Sequence, residues 1–376
     1  VNVTIIGSGF AALAAIRTLR LLDLGRALSI TVVAPQAQFT YLPSLIWLPS
    51  ALRTRQEIVL PLAPFFERMD VTFHTGSVTA IQEQGRCVLT AQGRIRNDAL
   101  LIACGGQYLQ KLPGSEQTIN PCSGVVAAET FRDHLQRMSG GRIAMGFAGN
   151  PAEPSAVRGG PMFEFLFGLH TQLRREGRRE QFALRFFSPL AEPGKRLGAR
   201  AVSSLLRAMQ SRQIDTYLGA KLLRFTPDKV VTEHTEIPAD LILFLPGMTG
   251  QEWFARTGFA CSPGGFFEAD AYCRVNGGER VYVAGDAGSF PGPDWRAKQA
   301  HMAELQAHAA AINLYDNLHG RPARARFRTE LLCIVDTLDS GMAISRFPRM
   351  SFILPPSKSM HWLKLFLEWK SLHKYR

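Results

Sequence analysis

The run Val3-Thr4-Ile5-Ile6-Gly7-Ser8-Gly9-Phe10-Ala11-Ala12 constrains this chain more than any other stretch. β-forming residues close on two glycines, and a helical pattern follows from Ala11 to about Leu24. Gly7 permits a tight turn, and Gly9 lets the backbone approach a pyrophosphate. Ala12 is small enough for the helix to pack on the strand. The helix N-terminus then presents partial positive charge to a diphosphate. The spacing predicts a strand–turn–helix that cradles a dinucleotide, with Gly7, Gly9, Phe10 and Ala11 against it.

At 376 residues there is room for two substantial cores. A hydrophobic share of 46% with 20% charged residues excludes disorder as the main state. The net charge of +12 suits an anionic partner such as a phosphate-bearing cofactor or an acidic membrane surface. The basic residues form no single long run, so no nucleic acid is expected. Because the chain opens directly on a strand, no cleavable leader is expected. No apolar run reaches the ~18 residues of a spanning helix, so the protein is expected to be soluble or to lie on a membrane. Six cysteines without a CxxC pair argue against a zinc site or a thioredoxin-like dithiol, and no metal is expected.

Further along, Leu28–Pro35 reads as a second buried strand. Ala34-Pro35-Gln36 stands where a dinucleotide domain usually carries an acid for the ribose, leaving that contact to backbone or Gln36. Phe39–Leu45, aromatic and proline-bearing, reads as a loop. Val71–His74, Ser77–Ile81 and a meander over 86–96 read as short strands. Asp98–Gly106 returns to a buried strand ending in glycines. This order is that of a flavin-type dinucleotide domain.

A second α/β unit begins near Arg142. Where a nicotinamide site would need another glycine fingerprint, the chain has Gly149-Asn150-Pro151-Ala152-Glu153-Pro154. Two prolines forbid that turn into a helix. A helix is expected from Gly160 to about Arg175, with Arg174, Arg175, Arg178 and Arg179 at its solvated end. A later strand, Arg280–Ala284, ends on Gly285-Asp286, and a helix follows from about Lys298 to Leu314. A carboxylate there can accept ribityl hydroxyls of a flavin, and the helix start can face the ring carbonyl.

Six stretches together resemble the sulfide:quinone oxidoreductases and the related flavoprotein subunit of flavocytochrome c sulfide dehydrogenase. They are Gly7–Ala12; Phe39–Ser44 with Arg53-Thr54-Arg55; Gly159–Phe165; Val283–Asp286 with Lys298; Leu332–Asp336; and His361–Glu368. The resemblance implies an α/β fold of two tandem Rossmann-like dinucleotide-binding domains, of the FAD/NAD(P)-linked disulfide oxidoreductase type, with a C-terminal amphipathic helical region. An FAD domain would span 1–108 and 278–320, a second Rossmann-like domain 109–277, and a quinone- and membrane-associated region 321–376. FAD would be held by Gly7, Gly9, Phe10, Ala11, Ala34, Pro35, Pro43, Val78, Cys104, Gly105, Gly285, Asp286 and Lys298. A cysteine pair would meet sulfide on one flavin face, with quinone on the other.

The chain departs from that pattern at the pair. Cys333 fits its second member and Cys122 a third family cysteine, but Arg158 stands in place of the first, and an arginine there suits an anionic donor. Lys195-Arg196 stands where a histidine is expected. Cys122 and Cys333 acting together, Cys333 alone, or a changed substrate remain open, and an ordinary buried helical thiol is the plain alternative for Cys333. Cys87, Cys261 and Cys273 are expected to be structural.

From Met360 a helical period places Trp362, Leu365, Phe366, Trp369 and Leu372 on one stripe, opposite Lys364, Glu368 and Ser371. That stripe is expected to lie in a lipid interface, peripherally on the surface of the plasma (inner) membrane, or else to dock on the protein's own core. Phe347–Leu354 would form an apolar lead-in. The expected activity is electron transfer from sulfide or a related small sulfur compound through FAD to a quinone, in a possible homo-oligomer. The alternatives are an NADH-fed quinone reductase and a flavoprotein partner subunit whose catalysis has lapsed.

Overall fold

In the computed structural model, which describes residues 1–376, the N-terminal run forms strand β1 (Asn2–Ile6) and helix α1 (Phe10–Leu22). β1 is buried from Val3 to Ile6, as a central strand of a parallel sheet must be. It pairs with β2 (Ser29–Ala34) on one side, and β3 (Val71–Thr75) lies beyond β2. On the other side lies β4 (Ala99–Ile102), so that Ile5 faces Val32 and Leu101 across the ladder.

The stretch expected as a loop over Phe39–Leu45 is ordered differently. Gln38–Thr40 pairs antiparallel with Val59–Pro61, and a 3-10 helix covers Leu42–Trp47. Phe39 is buried in the strand pair, and Pro43 sits in the first helical turn, where a missing N–H costs nothing.

The second unit is built on β5 (Gly141–Phe147), flanked by β6 (Phe182–Ser188) and β8 (Leu241–Leu245), with β7 (Ile214–Leu218) outside β6. Helix α2 (Gly160–Arg175) connects β5 to β6, and α3 (Ala199–Gln210) connects β6 to β7. Arg179 was expected at a solvated helix end but is buried. It donates to His170 and to the carbonyls of Phe182, Arg212 and Gln213, tying that end to the sheet.

The chain then returns to the first sheet. β9 (Val281–Val283) pairs with β4, which completes the order β9-β4-β1-β2-β3. Helix α4 (Ala300–Leu318) packs on α1, and the buried alanines of both let them approach closely.

The C-terminal region is not purely helical. It starts as a three-stranded antiparallel sheet, β10 (Leu331–Asp336), β11 (Gly341–Phe347) and β12 (Met350–Ser357), and ends in α5 (Lys358–Tyr375). Cys333 therefore lies on a strand rather than a helix. Leu331, Val335, Met342 and Ile344 of this hairpin join the core of the second unit, while Leu372 and Tyr375 of α5 join that of the first. One C-terminal region thus staples both.

Helix α5 docks by the face opposite most of its apolar stripe, so docking of the whole stripe on the protein's own core does not occur. Its buried residues are His361, Glu368, Leu372 and Tyr375, whereas Trp362, Phe366 and Trp369 are more than half exposed. Of the expected stripe only Leu372 is buried, with Leu365 half-buried. Polar partners decide the rotation. The Glu368 carboxylate accepts the Ser44 hydroxyl at 2.6 Å and two N–H groups of Arg53 at 2.8 and 2.6 Å. The Tyr375 hydroxyl donates to Glu304 at 2.6 Å. Charge-assisted bonds of this kind outweigh the burial of one aromatic ring when the ring has another surface to meet. No helix is long and apolar enough to cross a membrane.

Candidate functional site

The carboxyl ends of β1, β2, β4 and β9 open on one cavity of about 2340 Å³, which also runs along the start of α2, the β10–β11 hairpin and α5. Every residue assigned from the sequence to cofactor or donor lines it: Gly7, Gly9, Phe10, Ala11, Ala34, Pro35, Pro43, Val78, Cys104, Gly105, Cys122, Arg158, Gly285, Asp286, Lys298 and Cys333. Gln36 is exposed and lies off the lining, whereas Ala34 and Pro35 line it.

The glycine turn fits a diphosphate. Gly7 has φ +112°, and a Cβ on it would lie 2.4 Å from the Ala103 carbonyl oxygen. A Cβ on Gly9 would meet no protein atom within 4 Å, so bare backbone fronts the cavity there. Gly9 is also the N-cap of α1 and supplies no side-chain acceptor, which leaves the first helical N–H groups for an anion. At the other end Asp286 Oδ2 accepts a guanidinium N–H of Arg158, and Oδ1 is left for hydroxyl donors such as those of a ribityl chain. Lys298 donates to the carbonyls of Asp286 and Gly288 and sits 3.8 Å over the Phe266 ring. Burial pulls it down to about 8, against Asp286 and Glu153. These residues fit FAD.

The sulfur side departs from a dithiol. All six cysteines are free. A Cβ on Gly160, the first residue of α2, would lie 3.7 Å from the Cys333 sulfur, so Arg158 two residues earlier sits on the same wall. Burial works against the charge of Arg158, but Asp286, Tyr108 and Cys122 more than offset it and hold the guanidinium charged. Burial pushes the thiols of Cys104, Cys122 and Cys333 each up to about 12, with Arg158 pulling Cys122 the other way. All three are neutral thiols at pH 7. Of the cysteines expected to be structural, Cys87 and Cys273 are buried.

A second cluster borders the cavity near α5. Glu164 Oε1 accepts the Asp336 N–H at 2.9 Å and pairs with the Lys364 ammonium. Burial pushes Glu164 up to about 7 despite Lys364. Behind them Asp336 accepts the Trp47 indole N–H at 3.0 Å and bonds His361 Nδ1 at 2.6 Å. Glu164 and Lys364 were not assigned as site residues from the sequence. The available signal was a carboxylate inside the apolar run Met162-Phe163-Glu164-Phe165, which a helix buries only with a partner.

In the second unit the place of a glycine fingerprint is filled by the chain itself. Glu153 is 3% exposed and accepts the hydroxyls of Ser155, Ser262 and Ser289 at 2.5, 2.8 and 3.0 Å. Burial alone would raise its pKa, but the three hydroxyls and Lys298 hold it below the ordinary carboxylate value. The Asn150 amide donates to the Met248 carbonyl at 2.9 Å. The loop after β5 is thus locked onto segments around 248, 262 and 289.

Residues 185–307 match the family of pyridine nucleotide-disulphide oxidoreductases. The whole chain is 26% identical, over 400 residues and 91% of the relative's length, to a sulfide-quinone reductase of Aquifex aeolicus. The solved sulfide:quinone oxidoreductase of that organism superposes with a TM-score of 0.90 at 22% identity, covering 100% of this chain and 91% of the other. NDH2 of Plasmodium falciparum, solved with NADH, gives 0.77 at 10% identity, covering 100% and 96%. A glycine left bare for a diphosphate makes a specific forecast. Gly9→Val should keep the apoprotein's unfolding midpoint while lowering FAD retention after gel filtration at least about tenfold, a loss of ~1.4 kcal/mol in binding.

Proposed function

We propose that this chain, an FAD-dependent oxidoreductase similar over its whole length to sulfide-quinone reductase, passes electrons from a small sulfur donor to a quinone at a membrane surface. The observation that carries the reading is the single cavity in which the glycine turn, Cys333 and the Glu164–Lys364 pair all face common space. FAD, when bound, supplies the two-electron relay between donor and quinone. Gly7, Gly9 and the start of α1 bind its diphosphate, while Asp286 and Lys298 orient its other end. Cys333 presents the reacting sulfur. Glu164, near neutral pKa and beside Lys364, holds and releases a proton at the quinone end. The regions 1–108 with 278–320, 109–277 and 321–376 divide this work into cofactor, second-domain and quinone functions.

Docking α5 by its polar face supports membrane contact. Eight of the sixteen large exposed apolar side chains lie between Met350 and Trp369, on β12 and α5. Each aromatic ring contributes ~2 kcal/mol when withdrawn from water, and each lysine beside it about 1 kcal/mol against anionic lipid. That combination supports reversible peripheral attachment to a membrane surface.

The likeness to NDH2 favours NADH as a second donor, and the buried Glu153 lock weighs against it. Anaerobic titration separates the two. Sulfide should bleach the flavin and NADH should not, and bleaching by NADH alone would overturn the reading. Inertness to both donors would favour a lapsed partner subunit. Cys333→Ser should retain FAD and lose bleaching by sulfide.

Because Glu164 titrates above the ordinary carboxylate value of 4.5, it acts as an acid below about 7. Quinone reduction should therefore fall as pH rises through 7 in the parent, and Glu164→Gln should remove that inflection. The same shift means that the stability Glu164 contributes is whole below 4.5 and is lost as pH rises through about 7, so the Gln variant should flatten the unfolding midpoint across that window. Membrane contact is checked by sedimentation with anionic vesicles. Trp362→Ser with Trp369→Ser should leave the protein in the supernatant, and unchanged pelleting would refute the assignment.

A further inference from the structure

An ion pair joins the two units where the cofactor cavity passes between them. Arg158 lies in the loop after β5 and Asp286 just after β9, and their side chains are 19% and 12% exposed. Both are held from behind. A Cβ on Gly159 would lie 2.4 Å from the Phe147 ring, so the backbone next to Arg158 is packed against the end of β5. A Cβ on Gly285 would lie 3.2 Å from the side chains of Ala11 and Ala303, so the turn carrying Asp286 is wedged between α1 and α4. Burial opposes the charge of Arg158, and Asp286, Tyr108 and Cys122 outweigh it.

Arg158 decides the sign of the local charge. It is the ion-pair partner of Asp286, whereas Lys298 reaches the same turn through its backbone, donating to the Asp286 and Gly288 carbonyls at 3.1 and 2.6 Å. Arg296 and Glu153 are the other charged groups acting on Lys298. Arg158, Lys298 and Arg296 thus stand against Asp286 and Glu153, three cations to two carboxylates. With an uncharged side chain at position 158, such as a thiol, the group would balance at two and two. The difference is felt strongly because screening by water is weak in a buried place.

Uptake of two electrons and one proton adds one negative charge to FAD, and charge placed near its ring sets how readily that happens. The ribityl chain is bonded directly to the ring, so a cation paired with the carboxylate that accepts ribityl hydroxyls acts on the ring as well. We propose that Arg158 is a positioning residue that sets the reduction potential of FAD: it neutralises Asp286 and supplies a fixed positive charge that favours the reduced cofactor. The inference rests on the reading of Asp286 as the ribityl acceptor. It requires neither a sulfur donor nor a quinone.

Spectroelectrochemical titration of the FAD-loaded protein at pH 7, with mediator dyes carrying the electrons, tests it. Arg158→Gln should favour the oxidised cofactor about tenfold more than the parent does, which is a midpoint about 30 mV lower for a two-electron couple. Arg158→Lys keeps the charge without the planar fork and should hold the parent's midpoint. A merely structural ion pair would weaken FAD retention in both variants and leave the midpoint in place. The proposal falls if the glutamine variant has the parent's midpoint, or if the lysine variant drops as far as the glutamine one. Should the glutamine variant shed its FAD, the lysine variant decides: the parent's midpoint supports the proposal and the full drop overturns it. The expected shift in a protein that no sulfur donor bleaches would sink the donor reading and leave this one standing, and bleaching by sulfide without the shift would do the reverse.

Discussion

Three carboxylates, Glu164, Asp336 and Glu368, are each at most 7% exposed, and each must be met by donors or left at a cost of several kcal/mol. Their donors come from far along the chain: Lys364 for Glu164, Trp47 and His361 for Asp336, Ser44 and Arg53 for Glu368. Satisfying all three at once brings the 42–53 segment, α2, the β10–β11 hairpin and α5 into one arrangement. The rotation of α5 follows from that requirement. Once its charged residues are committed inward, its tryptophans have only the outside to face.

The same economy explains where the cavity lies. Two α/β units meet with their crevices toward each other, and polar links cross the junction. Arg158 of the second unit pairs with Asp286 of the first, and Glu153 of the second accepts Ser289 of the first. One link lies beside a glycine-lined strand end, while the other holds the loop after β5 in a shape without a glycine fingerprint. The strand ends of both units thereby open on one common cavity.

Replacement of a sulfur by Arg158 alters the character of that crevice. A guanidinium cannot carry electrons, but it holds a fixed charge in a poorly solvated place, where an arriving anion is attracted more strongly than in water. The remaining thiols are neutral because burial disfavours their ionised forms. Fixed charge beside the thiols is supplied by Arg158, which acts on Cys122, and not by ionisation of the sulfurs themselves.

Local patterns were enough to determine the βαβ start, the paired strand-end glycines, the α2 helix and the absence of a second glycine fingerprint. Each is a matter of neighbours in sequence: Gly7 must be a glycine where φ is +112°, and Pro151 and Pro154 cannot enter a helix. Gly7, Ala34, Cys104 and Gly285 line one cavity for the same reason, since strand ends of a parallel sheet converge. Tertiary structure alone decided which face of α5 is buried, that residues 331–357 pair as strands, and that Glu164 meets Lys364. Periodicity records which residues share a face, but not which face a partner 300 residues away can satisfy. The partners of Glu368 lie at positions 44 and 53, and only the folded chain brings them together.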